Sequence, residues 1–389
     1  MLNFNYQSKT RMIFGKGEEE KIGQYLRAYT DIKKVLLHYG SQSIKRTGLY
    51  QKVLNSLQKE GIEIVELGGV VPNPRISLVR EGIKMAREAK VDLILAVGGG
   101  SVIDSGKAIA AGYYYEGDIW QAYSLDKAVS KALPVATILT IPAAGSESSN
   151  SSVITNDETN EKKGLHGSSM VPLLSIVNPE LFFTLPKHQI AYGITDMMSH
   201  IFERYFSNSK DTALSDAISE AVLRTIIEYA PIVYNNPSNY HAWFQIGWAG
   251  TIAHNDLLGI GRVQDWATHG MEHQLSAYYD IAHGLGLAIL TPAWMEYVYE
   301  TNPQRFIDFA LKVMGVEASG KSNEIIIKQG INKLRAFFNS LGLPSKLSKV
   351  GIDTSKFEIM ASGCLWGTTI GNFKKLSKVD VLNIFNSVK

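Results

Sequence analysis

The sequence predicts an α/β, Rossmann-like parallel-sheet domain followed by an all-α domain. Three observations carry this. Short β-rich runs alternate with helical stretches up to about residue 185. After Pro186 those runs stop and long amphipathic stretches replace them. Between the two patterns of the first half lies a glycine turn, Gly98-Gly99-Gly100-Ser101, of the kind that joins a buried strand to a helix. The change of pattern gives two domains, residues 1–185 and 186–389. The short join at Leu185-Pro186 predicts that they face a shared, fairly rigid cleft.

Residues 3–6 and 11–14 read as an antiparallel addition to the sheet. Residues 35–39 (VLLHY) form an apolar run of strand length, followed by a helical stretch over 47–60 and a strand over 62–67. Residues 77–89 read as a helix, 93–98 (LILAVG) as a buried strand, and 135–141 (VATILTI) repeats that signal. Strands separated by helices require crossover connections, hence parallel pairing. In the second half, residues 189–206, 212–234, 240–255 and 325–341 are amphipathic at helical spacing.

Composition removes several classes of function. The 39 basic residues are balanced by 37 acidic ones, for a net charge of +2. The basic pairs Lys33-Lys34, Lys45-Arg46 and Lys374-Lys375 are too short for a nucleic-acid face. No apolar run reaches the ~18 residues of a membrane helix, and the start of the chain has no signal-peptide core. Cys364 is the only cysteine, so neither an internal disulfide nor a cysteine zinc site is possible. Any metal must be held by His and carboxylates. A cytoplasmic protein is expected.

Three loops are candidates for a nucleotide. Gly98, Gly99, Gly100 and Ser101 open a helix carrying Asp104 and Lys107. Glycines let backbone approach a phosphate, and the helix start supplies free N–H groups and positive potential. The plainer reading is a tight turn with Ser101 and Asp104 as a capping box. The second loop, Gly40-Ser41-Gln42-Ser43 with Lys45 and Arg46, has no acid to bind an adenosine 2′-hydroxyl. Its hydroxyls and cations favour NADP(H) over NAD(H); a polar surface turn is the alternative. The third, residues 140–150, has small and hydroxyl-bearing residues that suit a nucleotide or any loop.

The histidines cluster. Asp196 and His200 are i, i+4 on one predicted helix, and His269 and His273 are i, i+4 on another. His283 opens the next segment. One carboxylate and several imidazoles on neighbouring helices make a divalent-metal site without cysteine. Asp196, His200, His269 and His283 are the candidate ligands, leaving room for a substrate oxygen that the ion would polarise. His273 is a candidate proton relay or fifth contact. Taken singly, each histidine is readable as core or surface, and His38, His166, His188, His241 and His254 are read that way, with a place for His254 and Asn255 in the pocket lining as the alternative.

Together these pieces resemble the iron-containing (group III) alcohol dehydrogenase family, in its butanol dehydrogenase and NADPH-dependent aldehyde reductase branch. The resemblance runs from Thr10-Arg11-Met12-Ile13-Phe14-Gly15 through Pro72-Asn73-Pro74, GGGSVIDSGK, Thr140-Ile141-Pro142 and Gly145-Ser146-Glu147. It continues through Asp196-x-x-x-His200 to Asp265-Trp266-Ala267-Thr268-His269 and His283-Gly284-Leu285-Gly286. It implies the two-domain fold of dehydroquinate synthase-like enzymes and NAD(P)-dependent interconversion of an alcohol and an aldehyde, favouring aldehyde reduction. By matching position it implies Asp196, His200, His269 and His283 as metal ligands, with Fe2+ as the family's ion and Zn2+ or Ni2+ also suited. It places Gly98–Ser101 and Asp104 at the pyrophosphate. It places Gly40, Ser41, Ser43, Asn73, Thr140 and Ser146 on the cofactor, and Lys162 near the nicotinamide ribose. A homodimer is expected. The stretch Gly367–Asn372 follows the family's ending only loosely.

Two other kinds of protein would carry the same motifs. A glycerol dehydrogenase- or dehydroquinate synthase-like enzyme shares the plan, but an anionic sugar acid needs several pocket cations, and Arg262 is the nearest to His269 in sequence. A non-catalytic nucleotide-binding protein would be expected to lack ligands that are all present here.

Overall fold

The computed structural model describes residues 2–29, 31–125 and 128–389. The chain divides into two compact units, Gln7–Thr184 and Leu185–Lys389, the second also taking in Met1–Tyr6.

The first unit contains β1 (Arg11–Phe14), β2 (Lys34–Tyr39), β3 (Glu63–Leu67), β4 (Leu93–Gly98), β5 (Val135–Leu139), β6 (Ser151–Asn156), β7 (Glu161–His166) and β8 (Leu174–Val177). Six of them form one sheet in the order β1-β8-β5-β4-β2-β3, parallel throughout. β4, β5 and β8 are buried along their whole length. That is why they read as continuous apolar runs: helices cover both faces of a parallel sheet. One apolar cluster gathers Ile76, Val79, Ile94 and Ile109; another gathers Leu37, Val53, Leu95 and Ile138. His38 has no solvent exposure and ties the layers together. Its Nδ1 donates to the Leu67 carbonyl (2.8 Å) and its Nε2 accepts from Ser105 Oγ (2.8 Å).

The winding direction reverses once. β2 leads to β3 on one side, and the chain then returns to place β4 on the other side of β2. Such a reversal opens a crevice at the C-terminal ends of the two strands, here the ends carrying Gly40 and Gly98.

Several expectations are corrected. The run 11–14 is a strand, but it pairs parallel with β8 at the sheet edge, and residues 3–6 form no strand. The antiparallel addition fails because β1's neighbour comes from LSIV at 174–177, about 160 residues later in the chain and too short a run to register as a strand by pattern. The antiparallel pair β6-β7 was also unforeseen. β7 reads EKKGLH, which as sequence is a solvated charge run.

The second unit is helical. Its helices include Lys187–Tyr205, Ala213–Asn235, Tyr240–His254, Ala267–Tyr279, His283–Val298 and Asn323–Ser340. The Lys187–Tyr205 helix is buried almost all round from Ile190 onward, so it is a central helix rather than a surface one. A Cβ on Gly284 would lie 2.1 Å from the Tyr192 carbonyl oxygen, so the His283–Val298 helix meets the central helix backbone to backbone there. Among the described residues no helix is long and apolar enough to cross a membrane.

Candidate dinucleotide loops and metal centre

The loops singled out in the sequence follow adjacent parallel strands. Gly40, Ser41 and Ser43 follow β2, Gly98 ends β4, and Thr140 follows β5, with its N–H bonded to the Gly98 carbonyl (3.0 Å). Gly99 is the N-cap of the Gly100–Tyr114 helix and supplies no side-chain cap. The capping box read for Ser101 and Asp104 does not form. Asp104 turns away from the helix start: one oxygen accepts from Ser146 Oγ (2.5 Å), the other from the Val153 N–H (3.0 Å). Gly99, Gly100 and Ser101 therefore begin the helix with backbone groups alone, the arrangement that suits a phosphate.

Lys107 was not singled out as a site residue. It has no solvent exposure, and its Nζ donates to Ser146 Oγ (3.1 Å), Ser149 O (2.9 Å), Ser149 Oγ (3.1 Å) and Ser151 O (3.0 Å). Burial pulls its pKa down to about 8, partly offset by Asp104 and Glu147. Asp104 and Lys107, i and i+3 on one helix face, thus pin the Ser146–Ser151 segment to the glycine-loop helix. That spacing was the available signal.

Strand alternation separates the two lysines of β7. Lys162 is buried, and its Nζ donates to Asn73 Oδ1 (3.0 Å); Lys163 points to the other face and pairs with Glu161 (2.7 Å). Asn73 holds a left-handed φ of 52°. Two residues 89 positions apart, each placed on the cofactor by resemblance, are therefore in contact.

At the turn after β2, Ser41, Ser43, Lys45 and Arg46 are exposed. Lys45 Nζ lies over the rings of Tyr39 (5.3 Å) and Tyr50 (4.8 Å). An acid of β3, unseen in the turn's own sequence, meets the two tyrosines beneath Lys45. Glu66 accepts from Tyr50 Oη (2.8 Å) and Tyr39 Oη (3.2 Å).

In the helical unit, Asp196 and His200 lie one turn apart on the central helix, as their spacing required. His269 comes from the Ala267–Tyr279 helix, and His283 is the first residue of the next. Asp196 Oδ1 is 3.1 Å from His200 Nδ1, 3.9 Å from His269 Nε2 and 3.7 Å from His283 Nε2. Ligand atoms of Asp196, His200 and His269 lie within 4.8 Å of one another. Asp196 Oδ1 and His269 Nε2 are buried without a hydrogen-bond partner. Two orphaned buried atoms, each able to offer a lone pair toward one point, are costly unless something binds both, and a divalent cation does so. The residues fit the ion that the resemblance implies.

Each imidazole has its Nδ1 hydrogen-bonded; in His269 and His283 this turns Nε2 toward Asp196, whereas in His200 it is Nδ1 that lies 3.1 Å from that carboxylate. His200 donates to the Asp196 backbone carbonyl (2.9 Å), His269 to Glu203 Oε1 (2.8 Å), and His283 to Glu272 Oε2. Neither glutamate was read from the sequence, although each stands three residues after a ligand. Glu203 also accepts from the Trp266 N–H (2.7 Å), the His269 N–H (3.0 Å) and the Thr268 hydroxyl, so it caps the helix that carries His269.

The charges follow from these contacts. Burial opposes ionisation of Asp196, but the neighbouring His200 and His269 outweigh it and hold the carboxyl well below its usual range. Burial drives His200 down to about 4. Burial also opposes charge on His269, yet the Asp196 carboxylate facing its Nε2 and the Glu203 carboxylate bonded to its Nδ1 prevail and raise it to about 9.

His273 is half-buried, its ring 6.5 Å from that of His269 and 5.6 Å from that of His283. His254 takes the pocket-lining alternative rather than the plain one. Its ring lies 4.2 Å from that of His200, and its Nδ1 accepts from Arg204 Nη2 (3.0 Å). Trp266 adopts a left-handed φ of 67°, its ring 5.2 Å from His269 and 5.9 Å from His200. It therefore walls the centre.

Comparison with known proteins bears on this arrangement. Residues 9–179 match the family model of iron-containing alcohol dehydrogenase, and residues 190–388 match that of the C-terminal part of the Fe-containing alcohol dehydrogenase family. The chain is 45% identical over 388 residues to NADH-dependent butanol dehydrogenase A of Clostridium acetobutylicum, covering 99% of each chain. It is 36% identical over 358 residues to NADPH-dependent aldehyde reductase YqhD of Escherichia coli, covering 91% of each. The crystal structure of NADH-dependent butanol dehydrogenase A from Thermotoga maritima superposes with a TM-score of 0.95 at 42% identity, covering 100% of this chain and 99% of that one. With both units matched and relatives aligned end to end, the chain belongs to the iron-containing alcohol dehydrogenase family, in its butanol dehydrogenase branch.

Proposed function

We propose that the protein is a metal-dependent, NADP(H)-linked alcohol dehydrogenase that interconverts small primary alcohols and aldehydes and favours aldehyde reduction. The observation that carries the reading is the convergence of Asp196, His200, His269 and His283 around two orphaned buried atoms. These four residues would hold the divalent ion, which when bound supplies Lewis acidity toward a carbonyl or alkoxide oxygen. Fe2+ is the ion of the family; Zn2+ and Ni2+ suit the same ligands.

The chain's own residues supply the rest. Gly98 to Ser101 bind the pyrophosphate through backbone N–H groups at the helix start. Asp104 and Ser146 hold the adjoining segment against that helix, and Thr140, Asn73 and Lys162 line the cofactor further along. His273 carries the proton that follows hydride transfer.

The turn Gly40-Ser41-Gln42-Ser43 receives the adenosine end. Relatives carry both NADH-dependent and NADPH-dependent names. Two contacts support NADP(H) here. Glu66 is engaged by two tyrosine hydroxyls, and the exposed Lys45 is held over their rings rather than paired with it. That leaves a cation for a 2′-phosphate. The aldehyde-reducing direction and the homodimer belong to the same reading and rest on the family.

The test pairs elemental analysis with butyraldehyde reduction by NADPH and NADH, in wild type and Lys45→Met. One divalent ion per chain, faster turnover at low NADPH than at low NADH, and a KM for NADPH raised in Lys45→Met with KM for NADH unchanged are expected. A preference for NADH overturns the cofactor assignment. Turnover without metal overturns the reaction class.

A further inference from the structure

We propose that Glu272 is the positioning residue that aims His283 at the metal, and that Gly286 is glycine so that Glu272 can reach it. The inference rests on the reading of Asp196, His200, His269 and His283 as ligands. It concerns what makes the last of them competent.

The four ligands are not held alike. Asp196 and His200 project from the interior of a buried helix, and His200 is fixed to backbone. His269 is held by a glutamate that also caps its helix. His283 is the first residue of its helix, follows the extended Ala282 (ψ 132°), and is the most exposed of the four, its side chain 23% accessible against 6–9% for the others. A histidine so placed has rotamers and a tautomer to lose on binding.

Glu272 removes that freedom. It has no solvent exposure and receives the His283 Nδ1–H. An ionised carboxylate only accepts, so the ring proton stays on Nδ1 and the Nε2 lone pair is left facing Asp196. Ser276 Oγ, one turn further on, donates to the other carboxylate oxygen (2.5 Å), fixing the carboxylate in turn. Glu272 follows His269 by three residues, so this contact also links the helices that carry His269 and His283.

Gly286 completes the device. A Cβ there would lie 2.7 Å from Glu272 Cγ and 3.0 Å from its Oε1, so any side chain displaces the carboxylate. The two glycines of His283-Gly-Leu-Gly therefore have different purposes: Gly284 admits the Tyr192 backbone, and Gly286 admits Glu272.

The test uses metal-free full-length wild type, Glu272→Gln, Gly286→Ala and His269→Ala, titrated with Co2+ by chelator competition and by the visible Co2+ spectrum. Glu272→Gln is expected to weaken Co2+ about 10- to 100-fold and to alter the spectrum at saturation. Gly286→Ala, which removes no polar group but crowds the Glu272 carboxylate, is expected to shift both readouts in the same direction. Wild-type affinity and spectrum in both variants overturn the inference, as does a lowered melting temperature with an unmoved spectrum. Absence of a wild-type Co2+ site, or undiminished binding by His269→Ala, overturns the ligand assignment beneath it.

Discussion

Metal binding by this protein should release one proton per ion between pH 7 and pH 9. In the metal-free centre His200 is already neutral in that range, because burial holds it near 4, and Asp196 is ionised, because His200 and His269 hold it well below its usual range. His269 differs: Asp196 and Glu203 raise it to about 9 against burial, so at pH 7 its Nε2 carries a proton. An ion needs that lone pair and must displace the proton. Apparent affinity should therefore rise about tenfold per pH unit from 7 to 9, roughly 100-fold or about 2.7 kcal/mol in all, and then flatten. Chelator-buffered Co2+ titrations at half-unit pH steps measure this slope. In Glu203→Gln, which removes one of the two carboxylates, the plateau should begin at lower pH. A flat profile from pH 7 to 9 would refute the charge assignment, and so would a slope of two or more protons.

Two further outcomes follow from packing and burial. His38 is neutral in the folded sheet, burial having lowered it from 6.5 to about 4. The unfolded chain takes up this proton below pH 6.5 and the folded chain does not, so its contribution is present above 6.5 and lost as pH falls toward 4. The loss amounts to about 3 kcal/mol. Urea melts at pH 7 and pH 4.5 should show it, and His38→Leu should give a shallower pH dependence; an equal dependence in the variant would contradict the assignment. Gly284→Ala places a methyl 2.1 Å from the Tyr192 carbonyl oxygen, where neither backbone can yield cheaply. A loss of about 3 kcal/mol in a denaturant melt is expected, and a wild-type midpoint would show that the helices separate there at no cost.

Much of this protein was legible as sequence because its strongest signals are local. β2, β4 and β5 announce themselves as apolar runs because both sheet faces are covered. The pair Asp196 and His200 shares a helix, so spacing alone puts both on one face. The carboxylates behind the histidines were harder to see. Glu203 and Glu272 look like ordinary helix glutamates, and only the crossing of three helices shows what they accept. β7 was missed because Lys162 is a buried charge whose partner, Asn73, is 89 residues away. Glu66 meets Tyr39 and Tyr50 because β3 pairs beside β2, a neighbour relation absent from the turn's own residues. For His254 the pocket-lining alternative, not the plain one, fits: the Tyr240–His254 helix ends beside His200.

Removing and restoring the ion shows whether the four ligands carry the chemistry. Chelated wild-type protein should keep its fold by circular dichroism, lose NADPH oxidation with butyraldehyde, and regain it on addition of one equivalent of Fe2+, whereas His269→Ala should stay inactive at the same equivalence. Full turnover by metal-free protein, or Fe2+-restored turnover in His269→Ala equal to wild type, would contradict it.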